Sequence, residues 1–189
     1  DIEKKTLLLN IFKYYDTHDK ESIEKFNYIF RSSDCLSSAL LREDIDLDEL
    51  KSQGVKAMLF DLDSTIMASK SAKYTDEMYQ WLKVVQENFF MAVVSNNNNQ
   101  EYIEKVKKIS HFPLLFGACK PKTGPVREFL KKHNVNAKDC VIVGDRPLTD
   151  ILCGKILGCK TILVDSITAD TEPFIVRFVR RLERLSIRH

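Results

Sequence analysis

The sequence lacks a strong excess of charge of either sign, a long apolar run and any paired-cysteine motif. Its 189 residues carry 29 basic and 27 acidic side chains, a net charge of +2, so it has no polybasic signature and we expect no nucleic-acid partner. No apolar stretch is long enough to span a bilayer, and no signal-peptide pattern is visible. The five cysteines are odd in number and form no CxxC pair, which favours reduced thiols in a cytoplasmic protein.

What is present is the composition of an ordinary globular protein, with 44% hydrophobic and 30% charged residues. From Gly54 onward, short apolar runs alternate with helical patterns, one of them capped by Thr75 and one ended by Gly158. Continuous apolar strands between helices predict a Rossmann-like, three-layer α/β/α sandwich with a mainly parallel sheet. The predicted strands are Val55–Leu62, Phe90–Val94, Leu114–Phe116, Cys140–Val143 and Thr161–Val164.

The first 50 or so residues follow a different, helical pattern outside this alternation. Residues 23–30 offer one amphipathic face, and Asp46 with Glu49 resembles a capping box. We therefore divide the chain into an N-terminal helical extension, 1–53, and an α/β domain, 54–189. The extension is either a helical appendage packed on the sheet or a lid or interaction surface.

Polar side chains follow the predicted strands at the points where they end. Because the carboxyl ends of parallel strands meet at one edge of a sheet, we expect these side chains to share a pocket. Singly, each has a simpler explanation as a turn aspartate, a helix cap or a solvated lysine, but those explanations do not account for the set. In chain order the strand ends carry Asp61, Asp63 and Thr65, then Ser95 and Asn96, then Lys120, and finally Asp145 and Asp150.

Together these are the groups that phosphoryl transfer requires. A carboxylate can attack phosphorus, and a second carboxylate can protonate the leaving oxygen and then activate water. Carboxylates also hold Mg²⁺, which offsets the repulsion between an anionic nucleophile and an anionic phosphate. A hydroxyl, backbone N–H groups and an ammonium can stabilise the transferring group.

The set resembles the haloacid dehalogenase (HAD) superfamily of phosphatases. Within it the chain is similar to the YqeG-type subclass IIIA phosphatases, related to phosphatidylglycerophosphate phosphatases, from about Leu41 to Ile187. Ser64 stands where that family usually has Asn, and the stretch before Leu36 has no recognised counterpart. The four motifs appear in order as Asp61-Leu62-Asp63-Ser64-Thr65, Ser95-Asn96, Lys120-Pro121, and Gly144-Asp145 with Thr149-Asp150.

The resemblance implies a role for each motif residue. It makes Asp61 the nucleophile and Asp63 the general acid and base, and it places Lys120, ahead of the nearby Lys122, against the phosphate. The remaining implied phosphate-binding residues are Thr65, Ser95 and Asn96. The implied cofactor is Mg²⁺, held by the Asp61 carboxylate, the Asp63 backbone carbonyl and Asp145, with Asp150 behind them or acting through water.

Two further classes of function remain open on the sequence. A signalling receiver domain uses similar residues, but its phosphorylated Asp ends a later strand, where this chain has Ser95. A non-catalytic phosphate-binding scaffold would not need the acidic set. The short gaps between the motifs leave no room for the cap domains of the superfamily, which predicts a capless, open site. Such a site suits a phosphorylated lipid head group or a nucleotide-like monophosphate.

The last predicted helix, residues 172–189, combines an apolar side with five arginines and two glutamates. Its apolar side either packs on the sheet, or the helix docks reversibly on an anionic bilayer through its arginines. The second alternative would make the protein peripheral to a membrane. The sequence does not indicate an oligomeric state.

Overall fold

The computed structural model describes residues 35–40 and 45–167, which contain a six-stranded, fully parallel sheet. The strand order across the sheet is β1-β6-β5-β2-β3-β4, so β2 lies at the centre between β5 and β3. The strands are β1 (Cys35–Leu40), β2 (Ala57–Phe60), β3 (Phe90–Val94), β4 (Leu114–Leu115), β5 (Cys140–Gly144) and β6 (Lys160–Val164).

Five α-helices connect these strands, and side chains cap three of them. Asp46 accepts hydrogen bonds from the backbone of Asp48 and Glu49, Thr75 accepts one from Met78, and Asn99 does the same for the third helix. Gly158 ends the last helix in the left-handed conformation. The helices are α1 (Leu47–Ser52), α2 (Asp76–Asn88), α3 (Gln100–Ile109), α4 (Gly124–Lys132) and α5 (Leu152–Leu157).

Successive residues of β2 feed two apolar cores, one on each face of the sheet. Met58 and Phe60 join the cluster that contains residues of α1, α2 and α3, whereas Ala57 and Leu59 join the cluster formed with α4 and α5. All four side chains are fully buried. This alternation is the two-residue period of a strand, and it produces the three-layer α/β/α arrangement that the sequence predicts.

The strands that follow Gly54 confirm the prediction closely, with β3 at its predicted bounds and β2 two residues shorter at each end. Strand β1 was not predicted: Cys35–Leu40 lies within the stretch assigned to the helical extension, yet it pairs in parallel with β6. Residues 35–40 therefore belong to the sheet. The rest of the division into 1–53 and 54–189 stays a prediction.

The connections that flank the predicted motifs are short. Between Thr65 and Ser95 the chain forms one helix, α2, and strand β3; between Ser95 and Lys120 it forms only α3 and the two-residue β4. Neither segment contains a further domain, as the spacing predicts for a capless chain.

Two sequence predictions lie outside the described residues: the amphipathic face within 23–30 and the terminal basic helix at 172–189. Across 35–40 and 45–167, no helix is both long and apolar enough to cross a bilayer.

Candidate active site

The carboxyl ends of four adjacent strands place the motif residues around one cleft. Asp61 follows β2, Ser95 follows β3, Lys120 follows β4, and Asp145 follows β5. The cleft has a volume of about 290 Å³. Its lining contains every site residue that the sequence predicts except Thr65. The complete lining consists of Asp61, Asp63, Ser64, Ser69, Ser95, Asn96, Asn97, Lys120, Asp145, Arg146, Thr149 and Asp150.

Lys120 lies beneath this cleft and bridges two of its carboxylates. The Lys120 Nζ atom is 2.6 Å from Asp61 Oδ1 and 2.6 Å from Asp150 Oδ1, and it donates a third contact of 2.6 Å to the Val94 carbonyl. Its side chain is 1% exposed. The competing Lys122 is exposed and does not line the cleft. The structure thus brings Lys120, and not Lys122, against Asp61; the phosphate contact predicted for Lys120 stays a prediction.

The burial of this ion pair shifts both of its pKa values. Burial raises the pKa of Asp61 to about 6, because the attraction of Lys120 only partly offsets desolvation and the charges of Asp150 and Asp63 oppose ionisation. Burial lowers the pKa of Lys120, but the carboxylates of Asp150 and Asp61 outweigh burial and raise it above its ordinary value. Lys120 is therefore a fixed positive charge at neutral pH.

Asp145 brings a third carboxylate to the same point. Its side chain is 1% exposed, and Asp145 Oδ1 accepts a hydrogen bond of 3.0 Å from the hydroxyl of Thr65. One oxygen each from Asp61, Asp145 and Asp150 lies within 4.8 Å of the others. Three carboxylates against a single ammonium leave an excess of negative charge, and hard oxygen donors are those that Mg²⁺ prefers. The donor set therefore fits a divalent cation.

Thr65 is the one predicted site residue that lies outside the lining of the cleft. Its side chain is fully buried, its hydroxyl points to Asp145, and it does not line the cleft. The hydrogen bond from Thr65 orients Asp145, and the phosphate-binding role of Thr65 stays a prediction.

Asp63 is held by donors that the sequence analysis missed. Asp63 Oδ1 accepts hydrogen bonds of 2.9 Å from the backbone N–H of Lys70 and 2.9 Å from the hydroxyl of Tyr102. Asp63 Oδ2 accepts one of 3.2 Å from the Asn97 amide. Burial and the charge of Asp63 raise the pKa of Tyr102, which keeps its hydroxyl protonated. On the sequence, Tyr102 is indistinguishable from an apolar residue of an amphipathic helix.

Ser95 and Asn96 shape the loop that faces Asp61. Asn96 Oδ1 accepts a hydrogen bond of 2.7 Å from the backbone N–H of Lys120, and its amide donates one of 2.8 Å to the Lys120 carbonyl. The Ser95 hydroxyl accepts a bond of 3.1 Å from the Asn97 backbone. Both residues line the cleft, and Asn96 in addition fixes the backbone that carries the lysine.

The loop after β5 brings Asp150 back under the strand. A single π-helical turn, Pro147–Ile151, follows Asp145, and Asp150 Oδ2 accepts a hydrogen bond of 3.1 Å from the Arg146 backbone. A Cβ atom on Gly144 would lie 2.4 Å from the Asp150 Cβ. Only glycine at position 144 leaves room for Asp150 to reach Lys120.

Ser64 accounts for one departure from the family pattern. It adopts a left-handed backbone conformation, with φ of 67°. Asn enters that region more readily than Ser, which gives a physical reason for the usual Asn at this position. The departure leaves the Asp61 and Asp63 carboxylates unchanged.

Solved structures share this fold. The crystal structure of the HAD hydrolase YfnB from Bacillus subtilis, bound to magnesium, superposes with a TM-score of 0.50 at 14% identity, over 63% of this chain and 89% of that one. An uncharacterized protein from Listeria monocytogenes serotype 4b gives a TM-score of 0.50 at 18% identity, over 58% of this chain and 78% of that one.

Sequence comparison identifies the family. A family model described as HAD-hydrolase-like matches residues 117–173. Phosphatidylglycerophosphate phosphatase 1 of Arabidopsis thaliana is 32% identical over 148 residues, but the match covers 74% of this chain and only 42% of that protein. The protein named "Probable phosphatase YqeG" of Bacillus subtilis (strain 168) is 30% identical over 137 residues, which cover 72% of this chain and 79% of that protein. The chain therefore belongs to the YqeG family of HAD-type phosphatases.

Proposed function

We propose that the protein is a magnesium-dependent phosphomonoester hydrolase that forms a phosphoryl intermediate on Asp61. The observation that carries this proposal is the position of Asp61, which lines the open cleft 2.6 Å from a buried lysine and within 4.8 Å of the Asp145 and Asp150 carboxylates. Membership of a phosphatase family favours hydrolysis over the receiver-like and scaffold alternatives.

In the first half of the reaction, an Asp61 carboxylate oxygen attacks phosphorus and the bond to the leaving oxygen breaks. The Lys120 ammonium favours the ionised, nucleophilic form of Asp61. Asp63 donates its proton to the leaving oxygen, so that an alcohol departs. Ser95 and Asn96 line the cleft next to the lysine and bind the phosphoryl oxygens.

In the second half, Asp63 takes a proton from a water molecule, and the resulting hydroxide attacks the phosphorus. The acyl-phosphate bond breaks, which releases inorganic phosphate and regenerates the Asp61 carboxylate. The two halves sum to a phosphomonoester plus water giving an alcohol plus phosphate. Bound Mg²⁺ would neutralise the charge that develops on the phosphoryl oxygens. Asp61 and Asp145, with the Asp63 carbonyl, would hold it, and Asp150 would add negative charge beside them.

We propose a phosphorylated lipid head group, of the phosphatidylglycerophosphate class, as the substrate. Its support is the similarity to the Arabidopsis enzyme named for that substrate and the absence of a cap domain between Thr65 and Lys120. A capless cleft leaves the phosphate of a bulky or surface-bound molecule within reach. The competing substrate is a nucleotide-like monophosphate.

The decisive experiment measures phosphate release with Mg²⁺ from phosphatidylglycerophosphate in detergent micelles, glycerol 3-phosphate and nucleoside monophosphates. Asp61→Asn should lower the rate by more than about a thousandfold with the fold intact, because an amide is near-isosteric but a poor nucleophile. Asp48→Asn, which changes an exposed carboxylate of α1, is the matched control and should retain full activity.

Two outcomes would contradict these proposals separately. Substantial activity of a pure Asp61→Asn preparation would rule out the phosphoryl-aspartate mechanism. Faster turnover of nucleoside monophosphates than of the lipid would leave the mechanism in place and reject the lipid head group as the preferred substrate.

A further inference from the structure

We propose that Tyr102 is a positioning residue for proton transfer by Asp63. The Tyr102 hydroxyl and the Lys70 backbone N–H both donate hydrogen bonds to Asp63 Oδ1. Asp63 Oδ2 is then the oxygen that exchanges protons with the leaving group and with water. This inference rests on the proposed function, since it assigns a task within that reaction.

The geometry around the carboxylate is asymmetric. Oδ1 accepts two hydrogen bonds of 2.9 Å, one from Lys70 N–H and one from the Tyr102 hydroxyl. Oδ2 accepts a single bond of 3.2 Å, from Asn97. A carboxylate has about four lone-pair sites, two on each oxygen. Both sites on Oδ1 are therefore filled, whereas Oδ2 retains one site for a proton.

The three donors come from two separate segments of the chain. Lys70 lies in the loop that follows Asp63, whereas Asn97 and Tyr102 lie in the loop and helix that follow β3. Donors from both sides prevent rotation of the carboxylate about its own axis, which would exchange its two oxygens. Asp63 lines the cleft, and the fixed carboxylate keeps its open lone pair available there.

Tyr102 is well suited to this task. Its side chain is 8% exposed, and its hydroxyl lies 3.3 Å from the Met67 sulfur in addition to the carboxylate. The ring is anchored by the core that α3 shares with the sheet. A buried, anchored phenol loses little conformational freedom when it donates, so it holds a partner more firmly than a flexible surface residue would.

The test compares two substrates that differ in their need for a proton. An alkyl phosphate requires protonation of its leaving oxygen, whereas p-nitrophenyl phosphate has an activated leaving group that does not. Tyr102→Phe should lower kcat for the alkyl phosphate about tenfold, the equivalent of one hydrogen bond of about 1.4 kcal/mol. The same change should alter the first-turnover burst of p-nitrophenol, which reports the first half of the reaction alone, by less than about twofold.

Tyr74→Phe is the matched control. Tyr74 is 9% exposed, and its hydroxyl pairs with that of Ser110 at 3.0 Å. The variant loses the same atom from a similar environment and should show no dependence on the leaving group. An equal loss in Tyr102→Phe of turnover with the alkyl phosphate and of the p-nitrophenol burst, or the same pattern in both variants, would show a purely structural role and overturn the inference.

A double-mutant cycle gives a second criterion. In an Asp63→Asn background, Tyr102→Phe should cause no further loss with the alkyl phosphate, because the proton transfer that it supports is already gone. An additive loss would overturn the inference. If Tyr102→Phe fails to fold, Asn97→Ala, which removes the donor on Oδ2 without adding a charge, replaces it in both experiments with the same expected dependence on the leaving group.

The wild-type protein and Asp61→Asn are assayed beside these variants. A wild type that releases no phosphate from either substrate would reject the proposed function, and the inference with it. An active wild type whose Tyr102→Phe variant behaves as Tyr74→Phe does would reject only the role of Tyr102.

Discussion

Asp61 shows how burial and charge act in opposite directions on a single carboxyl group. Its side chain is 14% exposed, and burial raises its pKa to about 6 although Lys120 lies 2.6 Å away. The neighbouring Asp150 and Asp63 raise it further. One lysine therefore does not fully compensate the charge of the carboxylate cluster, which favours binding of an additional cation.

The raised pKa of Asp61 predicts how the stability of the metal-free protein depends on pH. The folded state binds the Asp61 proton more tightly than the unfolded state, whose pKa is about 3.8. The resulting stabilisation, at most about 3 kcal/mol, is complete below pH 4 and lost as the pH rises through 6. Chemical denaturation between pH 4 and 7 in EDTA should show this decline, and Asp61→Asn should reduce it.

Other carboxyl groups also contribute to the pH dependence between pH 4 and 7. The prediction therefore concerns the difference between the pH profiles of the wild type and of Asp61→Asn. Asp48→Asn, an exposed change, should follow the wild type. Parallel pH profiles for the wild type and Asp61→Asn would contradict the raised pKa.

At the scale of elements, the loop that follows β5 determines whether the carboxylate cluster forms. The π-helical turn Pro147–Ile151 returns the chain toward the strand, and Asp150 then packs directly over Gly144. Asp150 is 1% exposed and pairs with Lys120. A glycine at the end of a strand therefore controls a contact of the site.

Gly144→Ala should disrupt this arrangement. The added Cβ would lie 2.4 Å from the Asp150 Cβ, so Asp150 has to move away from Lys120, at a cost of about 1–3 kcal/mol for overpacking. We expect lower stability in urea together with a large loss of phosphatase activity. Gly124→Ala is the control: its Cβ would meet nothing within 4 Å, and alanine favours the helix that begins there.

If Gly144→Ala retains wild-type stability and activity, the close approach of Asp150 is unimportant for the site. Loss of stability in both glycine variants would instead indicate a general sensitivity to substitution.

The elements also show what the sequence could and could not predict. Apolar runs such as Phe90–Val94 identify central strands, because both faces of a parallel sheet are buried. The strand Cys35–Leu40 contains two serines and, within residues 35–40 and 45–167, pairs with β6 alone, so neither an apolar run nor an alternating pattern marks it. Strand-end carboxylates point to the cleft, whereas the roles of Thr65 and Tyr102 depend on which distant side chain each hydroxyl reaches.

At the scale of the whole molecule, the cleft exists only when the sheet is assembled. Its lining comes from residues that follow β2, β3, β4 and β5, which are up to 89 positions apart in the chain. The carboxylates of Asp61 and Asp145 approach each other through the pairing of β2 with β5. A cation that binds these carboxylates therefore binds the folded chain in preference to the unfolded one.

Mg²⁺ should consequently stabilise the protein at neutral pH. Ligand at 100 times its dissociation constant adds about 2.7 kcal/mol to the free energy of unfolding, so the thermal midpoint should rise with metal concentration. Asp145→Asn removes one charged ligand and should require a higher Mg²⁺ concentration for the same rise, and added metal should recover part of its activity. Asp48→Asn, a change of an exposed carboxylate, should respond as the wild type does.

A thermal midpoint that is independent of Mg²⁺ in the wild type, or an identical metal response in wild type and Asp145→Asn, would show that these carboxylates do not hold the cation.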